Sequence, residues 1–137
     1  MVEDTDEDFE TMALIMREAG FVNPIIRCID GESLRDYLGR QGQLGTSGSS
    51  PRPAMILLDL NLGGCDGRTL LREVKEDPKV KDIVVIVLST SNSPRDIKIC
   101  YQWGANGYAV KPIGIERLQR LVLGIQMCWL DTMEIAD

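Results

Sequence analysis

Four short apolar runs begin at positions 25, 55, 83 and 108, and this spacing constrains the fold more than any other feature of the sequence. The runs are bounded by turn-forming residues, as buried strands are. The segments between them carry apolar residues at helical intervals, and a step of roughly 30 residues is the length of a strand, crossover helix and strand. We therefore predict an α/β fold with a doubly wound parallel sheet. The predicted strands are Ile25–Ile29, Met55–Leu58, Ile83–Leu88 and Tyr108–Val110.

The fourth helix carries clear end signals. Ser93 can act as its N-cap, Pro94 suits the first helical position, and Asp96 stands where the acid of a capping box would. Gly104 follows the last turn, as glycine often does at a helix C-terminus. A long final helix is predicted from about position 115 to position 128.

The chain has 137 residues, which is enough for one domain with a single core. We expect that domain to span residues 1–130, followed by a short tail over residues 131–137. The net charge of −6 argues against affinity for nucleic acid or anionic lipid. Histidine is absent, which excludes Ser-His-Asp and Cys-His catalysis, His-containing zinc sites and phosphohistidine on this chain.

The cysteines are too far apart in sequence to form a C-x-x-C redox or zinc motif, so we interpret them as isolated thiols. The sequence has neither a signal-peptide pattern nor an apolar run of about 20 residues. These features predict a cytoplasmic protein with no membrane segment. The four cysteines are Cys28, Cys65, Cys100 and Cys128.

The Gly- and Ser-rich stretch Gln41–Pro53 is predicted to be a flexible loop between the second helix and the next strand. A phosphate-binding loop is the alternative interpretation of its hydroxyls. That alternative is disfavoured because a phosphate loop leaves a strand and opens a helix, whereas this stretch does the reverse.

Polar side chains follow four successive apolar runs. Glu3 and Asp4 come after Met1 and Val2, and the later runs end in Asp59, in Ser89 and Thr90, and in Lys111 with Pro112. Since parallel strands all finish at one edge of the sheet, we expect these side chains to meet there. Any one of them alone is more simply a turn or capping residue. Together they predict a functional site.

Carboxylates that close together need protons or a cation to compensate them. Mg²⁺ is the natural candidate because it prefers oxygen ligands. Lys111 would keep Asp59 ionised, so that Asp59 could attack a phosphoryl donor in line. Mg²⁺ and Lys111 would offset the charge of the transferred group, and the Ser89 hydroxyl would donate to one of its oxygens.

These residues resemble the receiver domains of bacterial two-component response regulators, the CheY-like family. The resemblance implies a flavodoxin-like sheet of five strands in the order 2-1-3-4-5, and a phosphoacceptor switch rather than an enzyme. The matching segments are Val2–Asp4, Ile56–Leu62 with Asp66–Gly67, Val85–Thr90, and Gly104–Ala105 with Tyr108–Pro112.

The resemblance also implies the roles of individual residues. Asp59 would accept a phosphoryl group from a sensor histidine kinase. Glu3, Asp4, Asp59 and the backbone carbonyl of Asn61 would organise Mg²⁺. Ser89 would be the switch hydroxyl.

In the same family pattern, Tyr108 would be the switch aromatic, and the peptide bond before Pro112 would be cis. With no output domain, the signal would leave through contact with an unknown downstream protein.

A closer similarity is to the small stand-alone regulators that partner phytochrome-type kinases. It implies a histidine kinase of that type as the phosphoryl donor. The similarity rests on Ser50–Pro53, Ile56–Leu62, Asp66–Arg68, Gly124–Ile125 and Trp129–Asp131.

Three features of the sequence depart from the family pattern. Gly63 replaces a common proline, and Ser91 lies two places past the switch hydroxyl, where relatives vary in phosphate lifetime. The first strand is reduced to Met1 and Val2, which predicts unpaired backbone groups on the neighbouring strands and a lowered stability. A misplaced start, a variant with a weakened metal site, or a partner chain filling the slot would each explain the short strand.

Two rival functions follow. An aspartyl phosphatase would need an acid two residues after Asp59, where Asn61 stands. A phosphorylation-independent pseudo-receiver would follow from a metal site that no longer works.

A homodimer is also predicted, because the final helix carries apolar residues off its core face. These residues are Leu123, Met127, Trp129 and Leu130.

Overall fold

The computed structural model describes residues 1–21, 25–42, 53, 55–62, 65–111 and 114–127, with backbone only for residues 40–42 and 65. Helices and strands alternate from residue 67 onward. The helices are α1 Asp6–Glu18, α2 Gly31–Gly42, α3 Gly67–Glu76, α4 Pro94–Gln102 and α5 Ile115–Ile125. The strands are β1 Met55–Asp59, β2 Asn61–Leu62, β3 Cys65–Asp66, β4 Val84–Ser89 and β5 Gly107–Val110.

The central sheet is parallel and has the strand order β1-β4-β5. Val2 extends it by single parallel bridges to Leu58 on one side and to Cys28 on the other. The order across the sheet is therefore Cys28, Val2, β1, β4, β5. Numbered along the chain with Val2 as the first strand and Cys28 as the second, this is the predicted order 2-1-3-4-5. The first and second strands are each reduced to a single bridging residue.

The strand predicted over Ile25–Ile29 was wrong in length, because only Cys28 pairs within it. Ile26 and Ile29 are exposed, so little apolar burial holds this edge segment in a ladder. The short first strand still makes ladder hydrogen bonds to both of its neighbours. Val2 donates to the Leu57 carbonyl at 2.8 Å and accepts from Asp59 N at 3.2 Å, and Cys28 N donates to the Met1 carbonyl at 2.9 Å.

The core lies on both faces of the sheet, as predicted for a doubly wound fold. Successive β1 residues point to opposite faces: Leu58 packs with α2 and α3, whereas Leu57 packs with α1 and α5. Alternation along β4 does the same, with Val87 on the first face and Leu88 on the second. The polar residues that follow these strands are thereby left at one edge.

The N-terminus of α4 differs from the predicted capping box. Ser93 is the N-cap, but its side chain makes no capping hydrogen bond. Instead, the Ser91 hydroxyl accepts from Ser93 N at 3.2 Å and donates to the Asp96 carboxylate at 2.7 Å. Asp96 therefore binds the loop before the helix, and the Ser91 hydroxyl, not the Asp96 carboxylate, accepts the hydrogen bond from the Ser93 amide.

In the described part of the chain, no helix is long and apolar enough to cross a membrane. Cys28 and Cys100 are buried free thiols. Several predictions fall outside the described residues: the loop over residues 43–52, the peptide bond before Pro112, the end of the last helix and the tail over residues 131–137.

Candidate functional site

Three carboxylates meet at the carboxyl edge of the sheet. The bridge between Val2 and Leu58 puts the next residues of the two segments, Glu3 and Asp59, side by side. Both are buried, with 1% and 2% of their surface exposed, whereas Asp4 is exposed. Glu3, Asp4 and Asp59 each offer a carboxylate oxygen within 4.8 Å of the others.

Lys111 reaches these carboxylates from the end of β5. Its backbone amide donates to the Ser89 carbonyl at 2.7 Å, which fixes the start of its side chain. Its ammonium lies 2.6 Å from Asp59 Oδ2 and 3.1 Å from Glu3 Oε1. The lysine therefore touches two of the three clustered acids.

Burial and proximity shift the protonation of this cluster. Burial, followed by the hydrogen bond with Asp59, raises the pKa of Glu3 to about 7, although Lys111 opposes that rise. Burial lowers the pKa of Lys111, but the hydrogen bonds and charges of Asp59 and Glu3 outweigh it and raise the pKa above its ordinary value. Near neutral pH the negative charge of the carboxylates is thus compensated partly by the proton on Glu3 and by the Lys111 ammonium. A bound cation would provide the same compensation.

The cluster fits a divalent cation of the hard, oxygen-binding kind. Its three acids offer carboxylate oxygens, and one of them, Asp4, is exposed to solvent, which suits a partly hydrated ion. Without an ion, Glu3 keeps its proton up to about pH 7, because its pKa lies there. Since a metal ligand must be deprotonated, cation binding at this site is coupled to loss of that proton.

Asn61 orients the Asp59 carboxylate. Its backbone amide donates to Asp59 Oδ1 at 2.8 Å, so each oxygen of Asp59 has a fixed partner, the amide on one side and Lys111 on the other. The Asn61 side chain donates to the Thr90 hydroxyl at 2.9 Å and links β2 to the loop after β4. The predicted use of the Asn61 carbonyl as a metal ligand stays a prediction.

Ser89 and Tyr108 both contact Ser91. Ser89 is buried, and its hydroxyl accepts from Ser91 N at 3.1 Å. The half-buried Tyr108 donates its hydroxyl to the Ser91 carbonyl at 2.8 Å. The two predicted switch residues are therefore connected through one residue, which the sequence had marked only as a departure from the family pattern.

Two contributors were missed by the sequence reasoning. Asp8, on α1, has a carboxylate oxygen 3.4 Å from the Lys111 ammonium. Arg27 donates through Nε to the Glu3 carbonyl at 3.0 Å and also pairs with Asp6. The acidic run after Val2 was visible in the sequence and pointed to Asp8. The sequence did not show that the rotation of α1 would turn Asp8 toward Lys111.

The family model for the response regulator receiver domain matches residues 1–123. Response regulator Rcp1 of a Synechocystis strain is 35% identical over 135 residues, which cover 98% of this chain and 90% of Rcp1. The structure of the Mn²⁺-bound form of Rcp1 superposes with a TM-score of 0.85 at 34% identity, covering 99% of this chain and 96% of that one.

Two further solved structures are similar along nearly the whole chain. The phosphorylated cyanobacterial phytochrome response regulator RcpA has a TM-score of 0.86 and 35% identity, with 99% and 95% of the two chains covered. Response regulator RPA3017, in red light signaling of R. palustris, has a TM-score of 0.89 and 32% identity, with the same coverage. The family match, these relatives and the acidic edge of a 2-1-3-4-5 sheet agree: the chain belongs to the response regulator receiver domain family of two-component signalling.

Proposed function

We propose that Asp59 accepts a phosphoryl group from the phosphohistidine of a sensor kinase. The observation that carries this proposal is the pair of fixed partners of the buried Asp59 carboxylate, Lys111 at 2.6 Å and Asn61 N at 2.8 Å. A carboxylate oxygen of Asp59 forms the new P–O bond while the P–N bond to the kinase imidazole breaks, and the imidazole leaves with the bonding pair. The product is an aspartyl phosphate.

In this proposal Glu3, Asp4, Asp59 and the Asn61 carbonyl would hold a divalent ion, Mg²⁺ by preference. When bound, it neutralises charge on the phosphoryl oxygens. Lys111 moves from its carboxylate partners to a phosphoryl oxygen as negative charge accumulates there. The protein acts as a phosphoacceptor switch, since the phosphatase alternative needs a general acid at position 61 and the neutral amide of Asn61 does not act as an acid or base near neutral pH.

The switch is proposed to run through Ser89 at the end of β4, Ser91 in the loop that follows, and Tyr108 on β5. A phosphoryl group adds about −1.5 to −2 charges at Asp59 and offers new acceptor oxygens. The Ser89 hydroxyl would then leave Ser91 N for one of those oxygens, and the Ser91–Tyr108 contact would rearrange with it. The surface of α4, β5 and α5 would carry the change to a downstream protein.

We propose a phytochrome-type histidine kinase as the phosphoryl donor. The support is the likeness to Rcp1 and RcpA, the latter a phytochrome response regulator by its description, over almost the full chain. We place the protein in the cytoplasm, where buried free thiols such as Cys28 and Cys100 stay reduced, and keep residues 1–130 as the domain and residues 131–137 as its tail.

Phosphotransfer tests the proposal directly. Acetyl phosphate with Mg²⁺, followed by intact mass measurement, should add one phosphoryl group to the wild type and none to Asp59→Asn. Asp66→Asn is the matched control, because Asp66 is a nearby exposed carboxylate that caps α3, and it should still gain the group. A wild type that gains nothing would instead support the pseudo-receiver alternative.

We also propose a homodimer through α5. Leu123 on α5 is 46% exposed and Met127, two residues past the end of α5, is 61% exposed, so two large apolar side chains near one end of this helix face solvent. Leu123→Glu should lower the mass observed by sedimentation, whereas Gln119→Glu, which adds the same charge without removing an apolar side chain, should leave it unchanged. An identical mass for wild type and Leu123→Glu would refute the dimer contact.

A further inference from the structure

Lys111 has a third carboxylate partner that lies outside the metal-binding cluster. Asp8 Oδ2 is 3.4 Å from the Lys111 ammonium, compared with 2.6 Å for Asp59 and 3.1 Å for Glu3. The Asp8 side chain is 54% exposed, whereas those of the other two are almost fully buried. Asp8 therefore stands at the rim of the site, between the lysine and solvent.

Lys111 and a divalent cation would compete for the same two carboxylates. Glu3 and Asp59 pair with the ammonium and also belong to the group of acids that can hold a metal ion, together with Asp4. Asp8 pairs with Lys111 and is not in that group. Among the carboxylates that pair with Lys111 in the described residues, Asp8 is the one that remains when a cation takes up Glu3 and Asp59.

The start of α1 selects Asp8 for this contact. Three acids, Asp6, Glu7 and Asp8, fill the first turn. Asp6 is engaged by Arg27, and Glu7 is exposed and not among the three carboxylates that pair with Lys111 in the described residues. Glu7 therefore has the same charge and the same place in the helix dipole as Asp8, without the contact.

We propose that Asp8 is a positioning residue that holds the Lys111 ammonium at the rim and so strengthens divalent-cation binding by Glu3, Asp4 and Asp59. This inference rests on the proposed function, because it concerns the same site. Two effects of Asp8 have the same sign: its charge attracts the cation, and its pairing with Lys111 reduces the competition for Asp59 and Glu3.

Mn²⁺ affinity measured by isothermal titration calorimetry tests the proposal without any phosphorylation step. Asp8→Asn should weaken Mn²⁺ binding about fivefold, the effect of losing one partly exposed charge pair. Glu7→Gln should change the affinity less than twofold. Equal dissociation constants for Asp8→Asn and Glu7→Gln would overturn the proposal.

A double-mutant cycle shows whether Asp8 acts through Lys111. In a Lys111→Met background, Asp8→Asn should weaken Mn²⁺ binding less than twofold, since the competing ammonium is gone. An undiminished fivefold loss in that background would reject the positioning role. A wild type that binds Mn²⁺ but gains no phosphoryl group would contradict the proposed function and leave this inference standing, so the two failures are distinguishable.

Discussion

At the scale of single residues, the most unusual group is Glu3, a carboxyl with 1% of its surface exposed beside a second buried acid. Such a carboxyl is favoured in its protonated form until a cation replaces the proton. The position of Glu3 was predictable from the sequence because it directly follows an apolar pair that enters the sheet. The burial of Glu3 and its raised pKa were not predictable, because both depend on how closely Asp59 and Lys111 approach it.

Glu3 should make stability depend on pH. Its pKa is about 7 in the folded protein against an ordinary 4.5, so the folded state binds more protons between those values. The free energy of unfolding should therefore fall as pH rises from about 5 to 7, by on the order of 2 to 3 kcal/mol. Urea unfolding in EDTA measures the slope.

The matched variant for this experiment is Glu3→Gln, which keeps the shape and removes the proton equilibrium. Its slope between pH 5 and 7 should be flatter than that of the wild type, and added Mg²⁺ should flatten the wild-type slope as well. Equal slopes for the two proteins in EDTA would contradict the assignment of this proton to Glu3.

At the scale of elements, the segment from β1 to α3 folds tightly around Asp59. β2 and β3 pair antiparallel directly after Asp59, and α3 starts at Gly67, whose amide donates to the Leu60 carbonyl at 3.2 Å. A Cβ at Gly67 would lie 2.6 Å from Leu60 Cα and 2.7 Å from the Asp59 carbonyl oxygen. Since both atoms are backbone, any side chain here must displace the backbone at Asp59 and Leu60.

Gly67→Ala should therefore destabilise the fold by about 1 to 3 kcal/mol, as overpacking does. Gly39→Ala is the matched control, because Gly39 lies in α2 and a Cβ added there would meet nothing within 4 Å, and alanine should stabilise that helix by up to about 1 kcal/mol. Thermal unfolding of both variants checks the pair. Equal melting temperatures would contradict the close approach at Gly67.

Element ends were less predictable than element order. The α4 cap was misjudged because Ser91, two residues before the predicted cap, supplies the oxygen and also binds Asp96. This arrangement depends on the path of the loop after β4. The contact of Asp8 with Lys111 was missed for a similar reason, since it depends on the rotation of α1 about its axis.

At the scale of the whole molecule, the parallel topology alone joins residues far apart in sequence. Lys111 and Glu3 are separated by 108 positions, yet they lie 3.1 Å apart. Strand spacing predicted that meeting, because every parallel strand ends at the same edge. It could not predict that one residue, Val2, would be enough to hold the first strand's place between Cys28 and Leu58.

The most direct measurement locates the modified side chain. Treatment with acetyl phosphate and Mg²⁺, reduction of the acyl phosphate with borohydride to homoserine, and peptide mass mapping identify which aspartate carried the group. The account predicts homoserine at position 59 and at no other aspartate, with the signal abolished by EDTA. Homoserine at position 4 or 66, or an unmodified Asp59 in a protein that binds Mg²⁺, would contradict it.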